Sequence, residues 1–525
     1  MNKLLSLKLE SGESFKKALA YQSISFWWFF RQFCYNILRD YEVDNKPKML
    51  NILIGRFYLL INALFVFVLS CFLVKPRNNR HSPRLFVISP QNGWRKMRSL
   101  DPRVKMLKID HNFHDVMSMM EGEASFIGLN DSQWLLLGDF RTFLEKRHDP
   151  DCVWKPLERF LTPRVAFSAW RYSRKLERHW NRAKREDGFR RFFKHWNVDR
   201  SHILRMDFFF RFVLFQQVLY IELMKRAVRV EKPDLILISQ EFTGQGMAAV
   251  IASKLEKVPT IAFQHGIITP MHSGYFHLPG EISDKITPDH TLVADKTSVY
   301  GLYTRDVLVD SCGYPADAVV VTGQMRYDPL EHADRVFNRE RTLKRFGFSP
   351  EKKTVLLITE SYSRSHLFLR VVASALKNIP SVQAVIKPHP NDVHYEWHRT
   401  ILENEGYAAA VAEPSSDTFE LLFACDVMMT VTSTVAIEAM LMKKFVIVIN
   451  LLGARDPTPY VEGGGAIGVY KENDVEPTIK NVLFDEKIQK EFEAKRERFL
   501  EYHLLHGKAT ENVVELIKEM IEGRT

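Results

Sequence analysis

From Arg84 onward, short apolar runs that end in polar loops alternate with stretches of helical period, a pattern that restricts the chain to parallel sheets with crossover helices. Leu85 to Ser89, Leu235 to Ser239 and Thr260 to Phe263 are the first such runs. A second series is expected from near His290, with strands at Thr291 to Ala294, Val319 to Thr322, Val355 to Thr359, Ala384 to Lys387, Val427 to Val431 and Phe445 to Asn450. Helices are expected at Asp328 to Arg345, His366 to Lys377, Asp417 to Ala424 and Val435 to Met442, and Val475 to Gly523 reads as helical. A chain of 525 residues exceeds what one hydrophobic core organises. The expected division is therefore an N-terminal segment, 1–82, and two α/β domains, 83–285 and 286–525.

The N-terminal segment differs in kind from the rest. Phe57 to Val74 contains no charged residue, and 18 residues of helix extend roughly 27 Å, the short end of a bilayer span. Lys75, Arg77, Arg80 and Arg84 follow directly, so a spanning segment would leave the larger part of the chain in the cytoplasm. A secretory signal fits poorly, because the run begins more than fifty residues in and no small-residue cleavage site follows. Spanning, docking on a membrane surface and burial in a helical lid are all compatible with this run.

Formal charge is +10, which suits an anionic partner, and the five cysteines lie far apart without CxxC spacing. Their spacing argues against a disulfide framework and a structural zinc site and is consistent with a reducing compartment. Trp170 to Arg200 interleaves aromatic and basic residues at helical spacing. That segment is read as an insertion whose outer face is either simply solvated or fitted to anionic lipid. No nucleic-acid-binding module is legible.

Three segments place reactive side chains where a strand hands over to a loop, the edge at which open α/β sheets bind ligands. In IAFQHGIITP the strand ends at Gln264, His265 and Gly266, and His265 is the candidate general base for a hydroxyl nucleophile. In VIKPHPND, Lys387 and His389 stand at a proline-stiffened turn and are candidates for stabilising a departing nucleotide phosphate. In MMTVTSTVAIEAML, Ser433 and Thr434 cap a helix carrying Glu438 in its first turn, a set suited to phosphate and ribose hydroxyls. Gln264, Gly266, Glu360, Ser361 and Arg326 are secondary candidates. Gly244 and Gly246 echo a dinucleotide turn, but the next strand ends in Gln264 where such proteins carry an acid, so a nicotinamide enzyme is not expected. Asp149 and Asp151 form a two-acid pair in a loop away from any strand end and read as surface.

In order, FQHG, VTGQMRYD, IKPHP and TSTVAIEA resemble surface-carbohydrate enzymes: capsule polysaccharide transferases, polysialyltransferases and CDP-glycerol glycerophosphotransferases. The resemblance implies two facing Rossmann-like domains of the GT-B kind, with a final helix crossing back to the first domain. It further implies acid/base catalysis by His265 and donor-phosphate contacts from His389, Ser433 and Thr434, in an inverting reaction requiring neither metal nor cofactor. Expected partners are a nucleotide-sugar donor, a glycan or lipid-linked acceptor and the cytoplasmic face of the cell membrane, with no nucleic acid. Gln264 before the His-Gly pair and Ile267 after it depart from the glycerophosphotransferase pattern. Two other functions stay open: a UDP-N-acetylglucosamine 2-epimerase-like enzyme and a non-catalytic glycan-assembly protein.

Overall fold

A computed structural model describes residues 19–523 except 40–48, 75–81, 98–106, 133–136, 196, 271, 360–361, 390–391, 393 and 454–455. After a two-residue antiparallel pair (Ala20–Tyr21 with Ile24–Ser25), two helices, α1 (Trp27–Arg39) and α2 (Met49–Leu73), precede the first strand of the parallel sheets, β1 (Arg84–Ile88). An antiparallel hairpin, β2 (Trp94–Met97) and β3 (Leu107–Asp110), projects from the loop after β1. Then follow β4 (Ser125–Asn130), β5 (Cys152–Pro156), α3 (Pro163–Ala183) and α4 (Leu214–Glu231). The chain continues through β6 (Leu235–Ile238), α5 (Gly244–Glu256), β7 (Thr260–Phe263), β8 (Lys296–Val299) and β9 (Val319–Val321). Seven of these strands form one parallel sheet in the order β9-β8-β7-β6-β1-β4-β5.

The second sheet comprises β10 (Lys353–Ile358), β11 (Val382–Lys387), β12 (Ala410–Val411), β13 (Val427–Thr430), β14 (Phe445–Ile449) and β15 (Ile467–Val469). Its order is β12-β11-β10-β13-β14-β15, again parallel, with Val355 opposite Ala384 and Val427 opposite Phe445. Helix α6 (Tyr362–Lys377) covers it, and α7 (Val435–Leu441) follows β13. Strands such as LILI in β6 and VLLI within β10 are buried throughout, as sheets covered on both faces require.

The structure corrects the expected division at 286. The strand predicted at Thr291 to Ala294 lies instead at Lys296–Val299, and it pairs with β7 and β9, so the first sheet runs through Val321. The sheets change only between Val321 and Lys353. The continuous helix expected over Asp328 to Arg345 is also broken. A 3₁₀ stretch, Met325–Arg335, contains Pro329 and kinks at His332 before a separate helix, Arg339–Arg345.

Trp170 to Arg200 does form amphipathic helix, in α3 and a shorter helix at Asp187–His195. Thr162 caps α3 by accepting from the Val165 amide, with Pro163 in the first turn. The inner side of α3 enters a core shared with α1 and α4, in which Trp180 stacks on Phe210 at 4.6 Å.

After α8 (Glu486–His503) the chain returns to the first sheet as α9 (Ala509–Glu522). Val513, Leu516 and Ile517 of α9 share one buried cluster with Leu85, Val87, Leu235, Leu237 and Ile261 of that sheet. Asp328 fixes the crossing by accepting from the amides of Ala509 (3.0 Å) and Thr510 (2.8 Å). Gly323 makes the approach possible: its φ is +88°, and a Cβ there would overlap the Leu505 carbonyl oxygen. Gly323→Ala is therefore expected to destabilise the protein by roughly 1–3 kcal/mol, as overpacking with a strained backbone does. Chemical denaturation would measure this, and a variant as stable as the parent would contradict the crossing geometry.

Candidate active site

Loops at the carboxyl ends of the strands in both sheets face one another, and their closest approach is where the predicted residues gather. His265 follows β7, and the neighbouring Gly266 comes within van der Waals range of Thr434 across the cleft: a Cβ on the glycine would lie 3.8 Å from Thr434 Cγ2. That is ordinary contact, so the glycine is not sterically obligatory. His265 opens to solvent along one side, yet enclosure by the surrounding protein, followed by the charges of Arg326 and Arg95, pulls its pKa down to about 4. The imidazole is therefore neutral at physiological pH and able to take up a proton.

Gln264 turns inward. Its Nε2 donates to the Gly266 carbonyl (2.8 Å) and its Oε1 accepts from the Tyr300 amide (2.8 Å), so it shapes the loop that presents His265. Arg326 follows β9 in the passage between sheets and donates to Glu438 Oε1 at 3.0 Å. Glu438 sits in α7 with 4% of its surface exposed, its pKa raised by burial and held back by Arg326. Its second oxygen, Oε2, has no hydrogen-bond partner among the described residues. The carboxylate is thus placed by an ion pair joining the two sheets.

The HP loop divides its predicted roles unevenly. Lys387 is 3% exposed, and its ammonium donates to the carbonyls of Pro388 (2.8 Å) and Pro414 (2.9 Å). Burial lowers its pKa to about 8. The expected direct phosphate contact is corrected to a supporting one, since the amine holds the loop from behind. His389 faces outward, with its pKa lowered by partial enclosure and then by Lys387 and Arg95. Beneath it, Asp392 donates its amide to the His389 carbonyl (2.9 Å) and binds the buried His398 Nε2 through its carboxylate (2.7 Å).

Ser433 Oγ accepts from the Val435 amide at 3.3 Å, while the Thr434 side chain is exposed and makes no capping bond. Glu360 and Ser361 lie outside the described residues, as does Asn391. Asp149 accepts from the Trp154 indole (2.8 Å) and from the Asp151 amide (3.0 Å), a turn-forming role for the acid pair.

Sequence reasoning missed the first-domain wall of the cleft. His111, after β3, is 8% exposed, with Nδ1 2.7 Å from the Gly93 carbonyl and its ring 6.4 Å from that of His265. Burial, then Arg326 and Arg95, hold its pKa far below the ordinary value. Arg95 stands on β2, and its positive charge lowers the pKa of His265 and His111 on one side and of Lys387 and His389 on the other. The signal available was the polar SPQNG loop at the end of the first strand. The cleft thus collects Arg95, Arg326 and neutral imidazoles around one carboxylate, an arrangement that attracts a polyanion and can accept a proton beside it.

Residues 356–452 match the family model for capsule polysaccharide biosynthesis proteins, a segment that holds the HP loop, Ser433, Thr434 and Glu438. A crystal structure of UDP-N-acetylglucosamine 2-epimerase superposes with a TM-score of 0.51 at 15% identity, covering 85% of this chain and 98% of that one. The Neisseria meningitidis UDP-GlcNAc 2-epimerase bound to UDP-GlcNAc gives 0.51 and 15%, covering 83% and 100%.

The fold is GT-B.

The resemblance to surface-carbohydrate enzymes is thereby supported from two directions, the family match and the double-sheet architecture. No curated protein matches the sequence. In a GT-B protein the facing strand ends form the interdomain cleft, and here that cleft holds His265, Arg326, His389, Thr434 and Glu438.

Proposed function

We propose that the protein is a glycosyltransferase that moves a sugar from a nucleotide-activated donor to a glycan or lipid-linked acceptor, at the cytoplasmic face of the cell membrane. The observation that carries this reading is geometric: His265 opens to solvent at the end of the seventh strand, where Gly266 approaches Thr434 of the other sheet and Arg326 pairs with Glu438. The capsule polysaccharide family match and the nucleotide-sugar named with the Neisseria structure support a donor of that class.

In this mechanism the acceptor hydroxyl oxygen attacks the anomeric carbon and its proton passes to the His265 imidazole. The bond from that carbon to the phosphate oxygen breaks, and the nucleotide leaves with the electron pair. Arg326 and His389 face the developing phosphate charge, the buried Glu438 carboxylate holds Arg326 in position rather than meeting a ribose hydroxyl, and Lys387 keeps the loop in place. A single displacement inverts the anomeric centre, and with the Arg326 cation and the His389 N–H donating to the leaving group no metal is required.

The acid limb of the pH profile follows from the imidazole. Because the free protein holds His265 neutral down to about pH 4, kcat/KM is expected to fall only well below pH 6.5. Bound donor brings negative charge that offsets the arginines, so the limb seen in kcat lies at higher pH than that in kcat/KM. A kcat/KM limb at an ordinary histidine pKa would count against His265 as the base.

Calorimetric titration with CMP, CDP, UDP and GDP tests the donor class. One nucleotide is expected to bind preferentially, and about tenfold more weakly to His389→Ala, the loss of a charge-assisted bond. No binding to any would favour an assembly protein. A 2-epimerase would instead incorporate solvent deuterium into the sugar with no acceptor present.

A further inference from the structure

Helix α2 contains the longest apolar segment of the described residues, Gly55–Leu73, and the fold uses only one side of it. Leu59, Asn62, Ala63, Val66 and Ser70 are buried against the first domain. The opposite side exposes Phe57, Ile61, Leu64, Phe65, Val68 and Phe72, with Phe57 71% and Phe72 83% accessible. The exposed residues recur at three- and four-residue intervals and form one continuous stripe. A stripe of this extent on a single helix marks an interaction surface.

Polar contacts tie the buried side to the domain at the start, middle and end of the segment. Arg56 pairs with Glu177 of α3 at 3.1 Å, Asn62 donates to the Ser132 carbonyl at 2.7 Å, and Arg159 donates to the Ser70 carbonyl. With its whole length held this way, α2 cannot cross a bilayer without carrying the domain's polar backbone into the hydrocarbon. The same contacts orient α3 opposite in direction to α2, since Arg159 precedes α3 at one end and Glu177 meets Arg56 at the other.

The stripe of α3 that ends at Glu177 contains Phe167 and Trp170, 60% and 49% exposed, with Arg174 between them and Glu177. Arg164, Arg171, Lys175 and Arg178 are exposed beyond that stripe, and the only acid in α3, Glu177, is buried. Apolar and aromatic side chains flanked by unopposed bases match an anionic lipid surface, whereas a second copy would set base against base.

We propose that α2 lies flat in the interfacial layer of an anionic membrane, with its stripe and Phe167 and Trp170 at the acyl boundary and the bases of α3 on lipid phosphates. This deepens the membrane placement proposed above and is independent of the transferase reading.

The test uses the full chain with vesicles of phosphatidylglycerol and phosphatidylethanolamine, against phosphatidylcholine alone. Flotation is expected to show at least about tenfold tighter binding to the anionic vesicles, weakened by high salt. Leu64→Glu with Val68→Glu should abolish it, and R171A with R178A should remove the anionic preference while leaving the fold intact. Cys71 is exposed and the other four cysteines are buried, so it accepts an environment-sensitive thiol probe directly. A probe at Cys71, and one at mid-helix Leu64→Cys in a Cys71→Ser background, should be quenched to the same shallow depth by brominated lipids, whereas a spanning helix would carry position 64 to the bilayer centre. Unequal depths together with resistance to alkaline carbonate would mean a spanning helix, overturning the flat pose while keeping the membrane. Failure to bind any vesicle would overturn both, and a dimer that the Leu64→Glu, Val68→Glu variant converts to monomer would assign the stripe to a second copy.

Discussion

Arg326→Met is expected to lower stability by about 3 kcal/mol and to eliminate donor binding. The stability loss comes from Glu438, which is 4% exposed and would be left as a buried carboxylate without its cation. The guanidinium is itself partly accessible, which keeps the cost at the lower end for a broken buried pair. Adding Glu438→Leu separates the two effects. The double variant should regain most of the stability, because neither charge is then stranded, yet should still not bind nucleotide. Denaturant midpoints and calorimetry on the single and double variants read both quantities. A double variant that binds donor as the parent does would remove the pair from the site.

His265→Ala is expected to reduce transfer at least about 10²-fold while leaving nucleotide affinity nearly unchanged. The side chain projects into the cleft from the end of β7, and the Gln264 bonds that shape its loop do not involve the ring, so truncation should leave the fold undisturbed. The effect therefore belongs in kcat, since the proton is removed only as the acceptor attacks. His111→Phe provides a comparison: its ring stands 6.4 Å from that of His265 but is buried and bonded to Gly93. Loss of transfer on His111→Phe alone, with His265→Ala active, would reassign the base.

The alternation of strand and helix was legible, as was the placement of His265, His389, Ser433, Thr434 and Glu438 at strand ends, because strand period and loop chemistry are local properties. The sheet to which each strand belongs was not. Lys296–Val299 and Val319–Val321 look like the opening of a second series, yet they pair with β7, a choice made by long-range packing that leaves no local trace. Lys387 shows a related limit: residue type suggests a phosphate ligand, but the side chain is satisfied by two carbonyls behind the loop. Arg95 and His111 escaped notice because the hairpin carrying them is short and sits in the connection between β1 and β4 rather than at the end of a strand of the parallel sheet. The resemblance implied the return of α9, and the structure accounts for it through the Asp328 cap and the close approach at Gly323.

That return has a consequence for synthesis on the ribosome. One face of the first sheet is complete only when Val513, Leu516 and Ile517 arrive, although its opening strand is made at Arg84–Ile88. The first domain must wait, with that face uncovered, while the entire second domain emerges and folds. A product interrupted between β15 and α9 would carry all strands of the second sheet beside an unfinished first one, a species suited to capture by chaperones and disposal by proteases. Catalytic competence is thereby made conditional on translation through α9.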